Sequence, residues 1–310
     1  MDETVKEQMK FCDYFKDWIN VYKQGAVRDV TMRKYQTTLS SLRKIIPELK
    51  CCEMNRLNYQ KMINEYAETH EKVTTTDFHH HVKAAVLDAI DEGYIERDPT
   101  RKIVIKGKQP AEKKIKYLNQ YELHAVLKDL KLEKIPSMDW LILLTAKTGM
   151  RFSEALAITP GDFDFENQTI RINKTWGYKN GGGFEPTKNR SSVRTIPVDF
   201  KTVMQFAALT EGMPKDDPVF VKKGQKIYNS TANGILARHC KNAGASTISM
   251  HGLRHTHASL LLFQGVSIAS VSKRLGHADI TTTQNTYLHI MQELENKDTD
   301  LIMRAMVTLT

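Results

Sequence analysis

The sequence predicts a mainly α-helical protein of two domains, the second carrying one small antiparallel β-sheet. Three observations predict it. A chain of 310 residues is long enough to bury two separate cores. The first hundred residues repeat apolar side chains at three- and four-residue steps with almost no strand signal. Strand-like runs are confined to a short stretch after residue 160. At 41% hydrophobic and 26% charged residues, the composition is that of an ordinary soluble globule. Lys and Arg number 45 against 36 Asp and Glu, a formal charge of +9 with a pI near 9.2, which suits a polyanionic partner. Apolar clusters such as Leu260-Leu261-Leu262-Phe263 are core-sized, too short to cross a bilayer, so no membrane partner is expected. The start Met1-Asp2-Glu3-Thr4 lacks the basic-then-apolar order of a secretion signal. Cys12, Cys51, Cys52 and Cys240 form no C-x-x-C pattern and are read as reduced thiols, which makes the cytoplasm the expected compartment.

Along the first domain, Phe11, Tyr14, Phe15, Trp18, Ile19 and Tyr22 line one face of a first helix. A second is expected to start after Thr31 as N-cap, to turn Tyr35, Leu39, Leu42, Ile45 and Ile46 inward, and to stop before Pro47. A third runs near Asn58 to Ala67. A fourth spans about Thr76 to Asp91, with Phe78, Val82, Ala85, Val86 and Ala89 inward, and ends at Gly93. Together they make a four-helix unit over 1–107. From Lys102 to Lys116 the basic residues Lys102, Lys106, Lys108, Lys113, Lys114 and Lys116 stand against the single acid Glu112, and Pro110 interrupts any helix, so residues 108–116 read as a basic linker. The second domain, 117–310, opens at Asn119-Gln120-Tyr121-Glu122, a capping-box start. A helix from Ser137 to about Lys147 follows, with Gly149 placed for a left-handed stop. Phe163 to Phe165, Thr169 to Thr175 and Val193 to Val198 are the strands, with Gly177 and Gly181-Gly182-Gly183 at the flexible tips. From Asp199 onward helices return.

The groups that carry chemistry cluster late. His251-Gly252-Leu253-Arg254, Leu275-Gly276-His277 and Tyr287 offer a cationic fork, two imidazoles and a phenol, a set suited to attack on a phosphodiester. His251 and Arg254 are three apart and share a helix face. A helix starting near His251 would aim its first N–H groups at an anion, and the planar guanidinium suits phosphate oxygens. Arg151 follows a glycine stop at a helix start, where the dipole disfavours a cation unless it reaches an anion. Glu154, one turn on, either orients Arg151 or makes a surface salt bridge. Lys188, in Pro186-Thr187-Lys188-Asn189-Arg190, would need a lowered pKa to donate a proton, which nearby cations supply; Lys179 and Arg190 are its rivals. Two histidine groups are set aside as metal sites. His79-His80-His81 are consecutive on a helix and point apart, while His255 and His257, two apart, lie on different faces. No metal or other cofactor is expected.

The order Arg151, Lys188, His251-x-x-Arg254, His277, Tyr287 resembles the tyrosine recombinase (phage integrase) family. The segment from Leu275 to His289, with Thr283 and Thr286, carries the family's spacing. The likeness covers nearly the whole chain. Residues from about 117 resemble the catalytic half, and the first domain resembles the helical, SAM-like core-binding half. Its ending Gly93-Tyr94-Ile95-Glu96-Arg97-Asp98-Pro99 departs from the family in having Asp98 where asparagine is usual. The resemblance implies a site-specific recombinase of a phage or mobile element that cleaves DNA through a 3′-phosphotyrosyl intermediate without metal or ATP. Tyr287 would be the nucleophile; Arg151, Arg254, His251 and His277 would bind the phosphate; Lys188 would be the acid and His251 the base. Glu154 would support them. Lys179, Arg190, Arg194, Lys106, Lys108, Lys113 and Lys114 would contact DNA. The implied partners are double-stranded DNA carrying a recombination site, a homotetramer assembled on it, and an excisionase or host DNA-bending protein as accessory. The implied location is the nucleoid. A C-terminal helix with Leu294, Leu301, Ile302, Met303 and Met306 would pack on a neighbouring protomer or on its own domain. The competing readings are an Xer-type chromosome dimer resolvase, a type IB topoisomerase and a non-catalytic DNA-binding relative.

Overall fold

Phe11, Phe15 and Trp18 lie side by side, almost wholly shielded from solvent. They seed the first of two units into which the chain divides, Met1–Lys113 and Lys114–Thr310. The computed structural model describes residues 3–109, 117–179, 181–222 and 224–287. In the first unit these form α1 (Glu3–Gln8), α2 (Phe11–Trp18), a π turn (Ile19–Lys23), α3 (Asp29–Ile45), a 3-10 turn (Cys51–Glu53), α4 (Arg56–Thr69) and α5 (Lys72–Asp91). Leu42, Tyr59, Met62, Ile63, Val82 and Val86 complete its core.

Several boundaries depart from expectation, each for a local reason. The first helix was expected to keep Tyr22 on its buried face. The π turn closes longer rings than an α-helix and shifts the phase, so Tyr22 is 49% exposed and donates to Glu92 Oε1 at 2.8 Å. Thr31 is not the N-cap of α3. The helix begins three residues earlier, with Arg28 at the cap position and Asp29 in its first turn, where a carboxylate faces the positive end of the dipole. Asn55 caps α4 by accepting from the Asn58 amide at 3.0 Å, so that helix starts before Asn58. The helix expected from Thr76 begins at Lys72. Of the histidine run, His79 is buried with Nδ1 at 3.0 Å from the Tyr59 hydroxyl, and His81 meets Thr38 at 3.0 Å. Asp98 accepts from both the amide and the hydroxyl of Thr100, so the carboxylate itself closes the turn at this ending.

The second unit contains α6 (Gln120–Lys128), α7 (Met138–Thr148), α8 (Phe152–Leu156), β1 (Phe163–Asp164), β2 (Thr169–Ile172), β3 (Lys174–Trp176), β4 (Phe184–Pro186) and β5 (Arg194–Pro197). Then come α9 (Phe200–Thr210), α10 (Asn229–Asn242), α11 (Met250–Phe263) and α12 (Ile268–Leu275), with residues 280–287 helical. The capping box at Asn119 forms, its side chain and that of Glu122 each accepting a backbone bond at 2.9 Å. The run Thr169 to Thr175 is not one strand. β2 pairs antiparallel between β1 and β5, with Ile170 opposite Ile196, whereas β3 leaves to form a separate hairpin with β4, Thr175 opposite Glu185. The expected single sheet is therefore two. The second depends on β4, whose strand Phe184-Glu185-Pro186 is too short to show an alternating pattern. Among the described residues, no helix is long and apolar enough to cross a membrane.

The helix α7 is buried on nearly every side and packs against α11. Its C-terminus turns at Gly149, whose φ of 69° is left-handed. A Cβ there would stand 2.7 Å from His257 Cδ2 and 3.0 Å from Leu275 Cδ2, so backbone conformation and lack of space both require glycine. Gly149→Ala is expected to destabilise the second unit by roughly 2 kcal/mol or more. Thermal melts of the full chain measure this, and an unchanged transition would show the contact to be slack.

His257 also makes stability depend on pH. Its Nδ1 lies 2.9 Å from the Ala146 carbonyl, and its Nε2 accepts from Arg274 Nε at 2.8 Å. Burial first, and then the Arg274 cation, push its pKa down to about 3. The folded ring is neutral where the unfolded ring, with its ordinary value of 6.5, takes a proton. Its contribution is thus complete above about pH 6.5 and is lost as pH falls toward 3. His257→Gln should melt with a shallower dependence on pH between about 6.5 and 4 than the parent chain. Parallel slopes would remove His257 from the account.

Candidate active site

The C-terminal end of α12 organises the site. Carbonyls at a helix C-terminus lack intrahelical donors and carry the negative end of the dipole, so they attract cations. Two arginines from distant segments answer. Arg254 donates from Nη2 to the Leu275 carbonyl at 2.7 Å and from Nη1 to the Gly149 carbonyl at 2.8 Å. Arg151 donates from Nη2 to the next carbonyl, that of Gly276, at 3.1 Å. Gly276 has φ 69°, and a Cβ on it would fall 2.9 Å from Arg194 Nη1 and 3.0 Å from the Ser191 carbonyl. His277 follows directly, with Nδ1 at 2.7 Å from the Thr283 hydroxyl, which sets the orientation of the ring. The turn after α12 thereby gathers Arg151, Arg254 and His277.

Glu154 holds the arginines in place. It is 1% exposed, so it is not part of a surface salt bridge. Its Oε1 accepts from Arg151 Nη1 at 2.6 Å, and its Oε2 from Arg194 Nη2 at 2.9 Å and from the Arg151 amide at 3.0 Å. Burial alone would raise its pKa, but Arg194 and Arg151 outweigh burial and hold the carboxyl below its usual range. Arg194 needs a correction. Expected on the DNA-facing surface, its side chain is only 6% exposed and spends its donors internally, on Glu154, the Ser192 carbonyl and, through Nε, the Arg274 carbonyl at 2.6 Å.

The helix α11 supplies the other wall. Ser249 caps it by accepting from the Gly252 amide at 3.1 Å, which puts His251 in the first turn and Arg254 in the second. Arg254 is 2% exposed; burial, then the neighbouring Arg151, lower its pKa to about 9, leaving it charged at neutral pH. The same two influences act on the imidazoles. Burial followed by Arg254 and Arg151 lowers His251, and burial with Arg254, Arg151 and Arg194 brings His277 down to about 4. The cations disfavour one another's charge, as expected for a site that awaits an anion.

Tyr287 is 2% exposed and packs with Ala258, Leu262, Val271 and Leu275. Burial pushes its phenol up to about 12, with Arg254 pulling the other way. Its hydroxyl lies 2.9 Å from His255 Nδ1. His251, the expected base, instead sets its ring edge-on to His255, with centroids 4.7 Å apart at 87°. Sequence reasoning passes over His255 because it is weighed together with His257 as a metal pair. Its separation of four from His251, which places both on one helix face, is the signal that would have found it.

The other expected residues are exposed or fall outside the described residues. Lys188 is exposed on the loop between β4 and β5, as is Arg190, and Lys179 is exposed with its Nζ 5.7 Å from the centre of the Tyr178 ring. Lys106 and Lys108 are exposed in the first unit, where the Lys108 amide donates to the His70 carbonyl at 2.8 Å. Lys113, Lys114, His289 and the C-terminal stretch with Leu294 and Met306 lie outside the described residues.

The phage integrase family model matches residues 116–293, more than half of the chain. A tyrosine recombinase XerC-like protein of Caldanaerobacter subterraneus is 26% identical over 78% of this chain and 69% of its own length. The integrase of Staphylococcus phage L54a is 30% identical over 49% of this chain and 48% of its own. A probable integrase of prophage ps2 in Lactococcus lactis is 26% identical over 94% and 82%. Among solved structures, a Tn1549 transposon integrase in complex with circular intermediate DNA covers 90% of this chain and 95% of its own, at a TM-score of 0.75 and 19% identity. A lambda integrase dimer bound to a core site covers 91% and 78%, at 0.67 and 14%. At such identities the structures speak for the fold, and the family match speaks for the lineage. With the phenol, the paired arginines and the imidazoles set around one turn, the chain belongs to the phage integrase family, as a site-specific tyrosine recombinase that cleaves and rejoins DNA.

Proposed function

We propose that this chain is the integrase of a phage or other mobile element, joining specific sites on double-stranded DNA through a covalent bond to Tyr287. The observation that carries the reading is the pairing of Arg254 and Arg151 on successive carbonyls, Leu275 and Gly276, with the Tyr287 hydroxyl in the field of Arg254. A phosphodiester seated there would meet Arg151, Arg254, His251 and His277. Negative charge building on phosphorus would be stabilised by groups already in position. The phenolic oxygen attacks phosphorus, the bond to the 5′-oxygen breaks, and Lys188 gives that oxygen its proton. A 5′-hydroxyl from a second duplex then reverses the step and releases Tyr287. One phosphoester replaces another of similar energy, so the exchange needs neither ATP nor a metal ion. Lys179, Arg190 and the lysines from Lys106 to Lys114 contribute backbone contacts, and binding weakens with salt by a slope of about −0.9 for each phosphate neutralised. Strand exchange between two sites places four copies together, with an excisionase or host bending protein setting direction.

The test begins with a duplex selected from a randomised pool by the purified chain, then nicked beside the cleavage point to trap the adduct. Tyr287→Phe should bind this duplex as the parent does and give no covalent product on a denaturing gel. The parent should form the adduct undiminished in EDTA and without ATP. An adduct from the Tyr287→Phe chain would end the assignment, and loss of cleavage in EDTA would point to a metal-dependent nuclease.

A further inference from the structure

The hydroxyl of Tyr287 and Nδ1 of His255 are 2.9 Å apart, on two segments that meet at the edge of the cationic pocket. We propose that His255, rather than His251, is the catalytic base that takes the phenolic proton of Tyr287 as its oxygen attacks phosphorus, and the acid that returns it when the phosphotyrosine is resolved. The inference rests on the recombinase reading and deepens it. A tyrosine hydroxyl carries one proton and two lone pairs. With the proton directed at Nδ1, the lone pairs remain for phosphorus, so the hydrogen bond both orients the nucleophile and marks the route of its proton. The distance is already that required of a base acting directly on its substrate proton.

The surroundings favour this direction of transfer. Burial raises the phenol, so in the resting protein the hydroxyl keeps its proton, and with His255 as the Nε2–H tautomer it donates that proton to Nδ1. Arg254 precedes His255 on α11 and His251 meets its ring edge-on, while Arg151 and Arg194 bring positive charge from the other elements and Glu154 is the carboxylate between them. A phosphodiester at Arg151 and Arg254 would bring negative charge close by, which favours an imidazolium at the moment the proton moves. The balance closes within the site. The O–H bond of Tyr287 breaks and an N–H bond forms on His255; the Tyr287 oxygen joins phosphorus; the 5′-oxygen departs with a proton from a separate acid. His251 contacts His255 edge-on and so acts as a positioning residue for the base.

Three measurements on the full chain test this. In nitrogen-15 spectra of histidine-labelled protein without DNA, His255 Nδ1 should be unprotonated at neutral pH and should shift in Tyr287→Phe; a protonated Nδ1 overturns the proposal. In single turnover on the selected duplex, His255→Ala and His255→Asn should both cleave about 10²-fold or more slowly than the parent while binding equally. Asparagine keeps a short polar acceptor near Nδ1 but cannot titrate, so its rate should recover as pH is raised. A His255→Asn chain that matches the parent at neutral pH reduces His255 to a spacer, and a faster His255→Ala makes it a restraint on the nucleophile; either result overturns the proposal. Replacing the bridging 5′-oxygen by sulfur, which leaves without an acid, should rescue Lys188→Ala and leave both His255 variants slow. Rescue of the His255 variants would assign them the acid's role instead. If the parent chain forms no adduct at all, the recombinase reading fails first, and the nitrogen spectra still decide the hydrogen bond.

Discussion

Everything in the catalytic unit answers to two backbone carbonyls at the end of α12. A helix of eight residues, Ile268–Leu275, ends in a left-handed glycine, and its last oxygens point into the protein rather than into water. Buried carbonyls left without donors would cost roughly 1–3 kcal/mol each. Arg254 and Arg151 satisfy one apiece, and each then carries a full charge into a confined space. The fold thus meets a backbone requirement with two side chains whose charges lie close enough to act on each other. The left-handed turns at Gly149 and Gly276 belong to the same solution, because Arg254 bonds the carbonyl of the first and Arg151 that of the second.

Such a cluster is stable without substrate because its charges are partly compensated from below and partly suppressed. Glu154, buried and ionised, lies between Arg151 and Arg194. Removing a partner from a buried pair of this kind typically costs 3–5 kcal/mol, since the other charge is then stranded. Burial and the arginines push His251 and His277 toward their neutral forms. His257 beneath Gly149 is neutral for the same reason and accepts from Arg274, which also donates to the carbonyls of Pro197 and Lys147. The guanidinium groups therefore form a scaffold in which Arg194 and Arg274 hold structure, while Arg151 and Arg254 hold structure and face the pocket.

How much of this was legible in the sequence depends on the range of the interaction. Asn119 with Glu122, Gly149 and the order of the late motif are local signals, and the structure places a capping box, a left-handed stop and a gathered site where they stand. The π turn after Trp18 was not legible, because one extra residue in a turn leaves the apolar spacing almost unchanged while rotating Tyr22 outward. β4 was hidden by its length and by the glycines before it. Arg194 shows the limit most clearly: an arginine in a basic, polar segment reads as a surface cation, and nothing nearby reveals that Glu154, forty positions earlier, lies beneath it. His255 was obscured by its neighbours, since Arg254 on one side and His257 on the other drew attention to phosphate and metal chemistry.

In the proposed reaction, the resting enzyme is inert for the same reason that it is ready. A phenol raised to about 12 by burial is a poor nucleophile at neutral pH. Of the groups around it, His251 and His277 are pushed toward their neutral forms by burial and by Arg254 and Arg151. An anion at the Arg151–Arg254 pair would lower the cost of positive charge at His251 and His277 together, and would do so where the oxygen must attack. Specificity then follows from position. A phosphate displaced by an ångström or two from the Arg151–Arg254 pair gives up field strength at every one of these groups at once, so activation falls more steeply than binding as the DNA is misplaced.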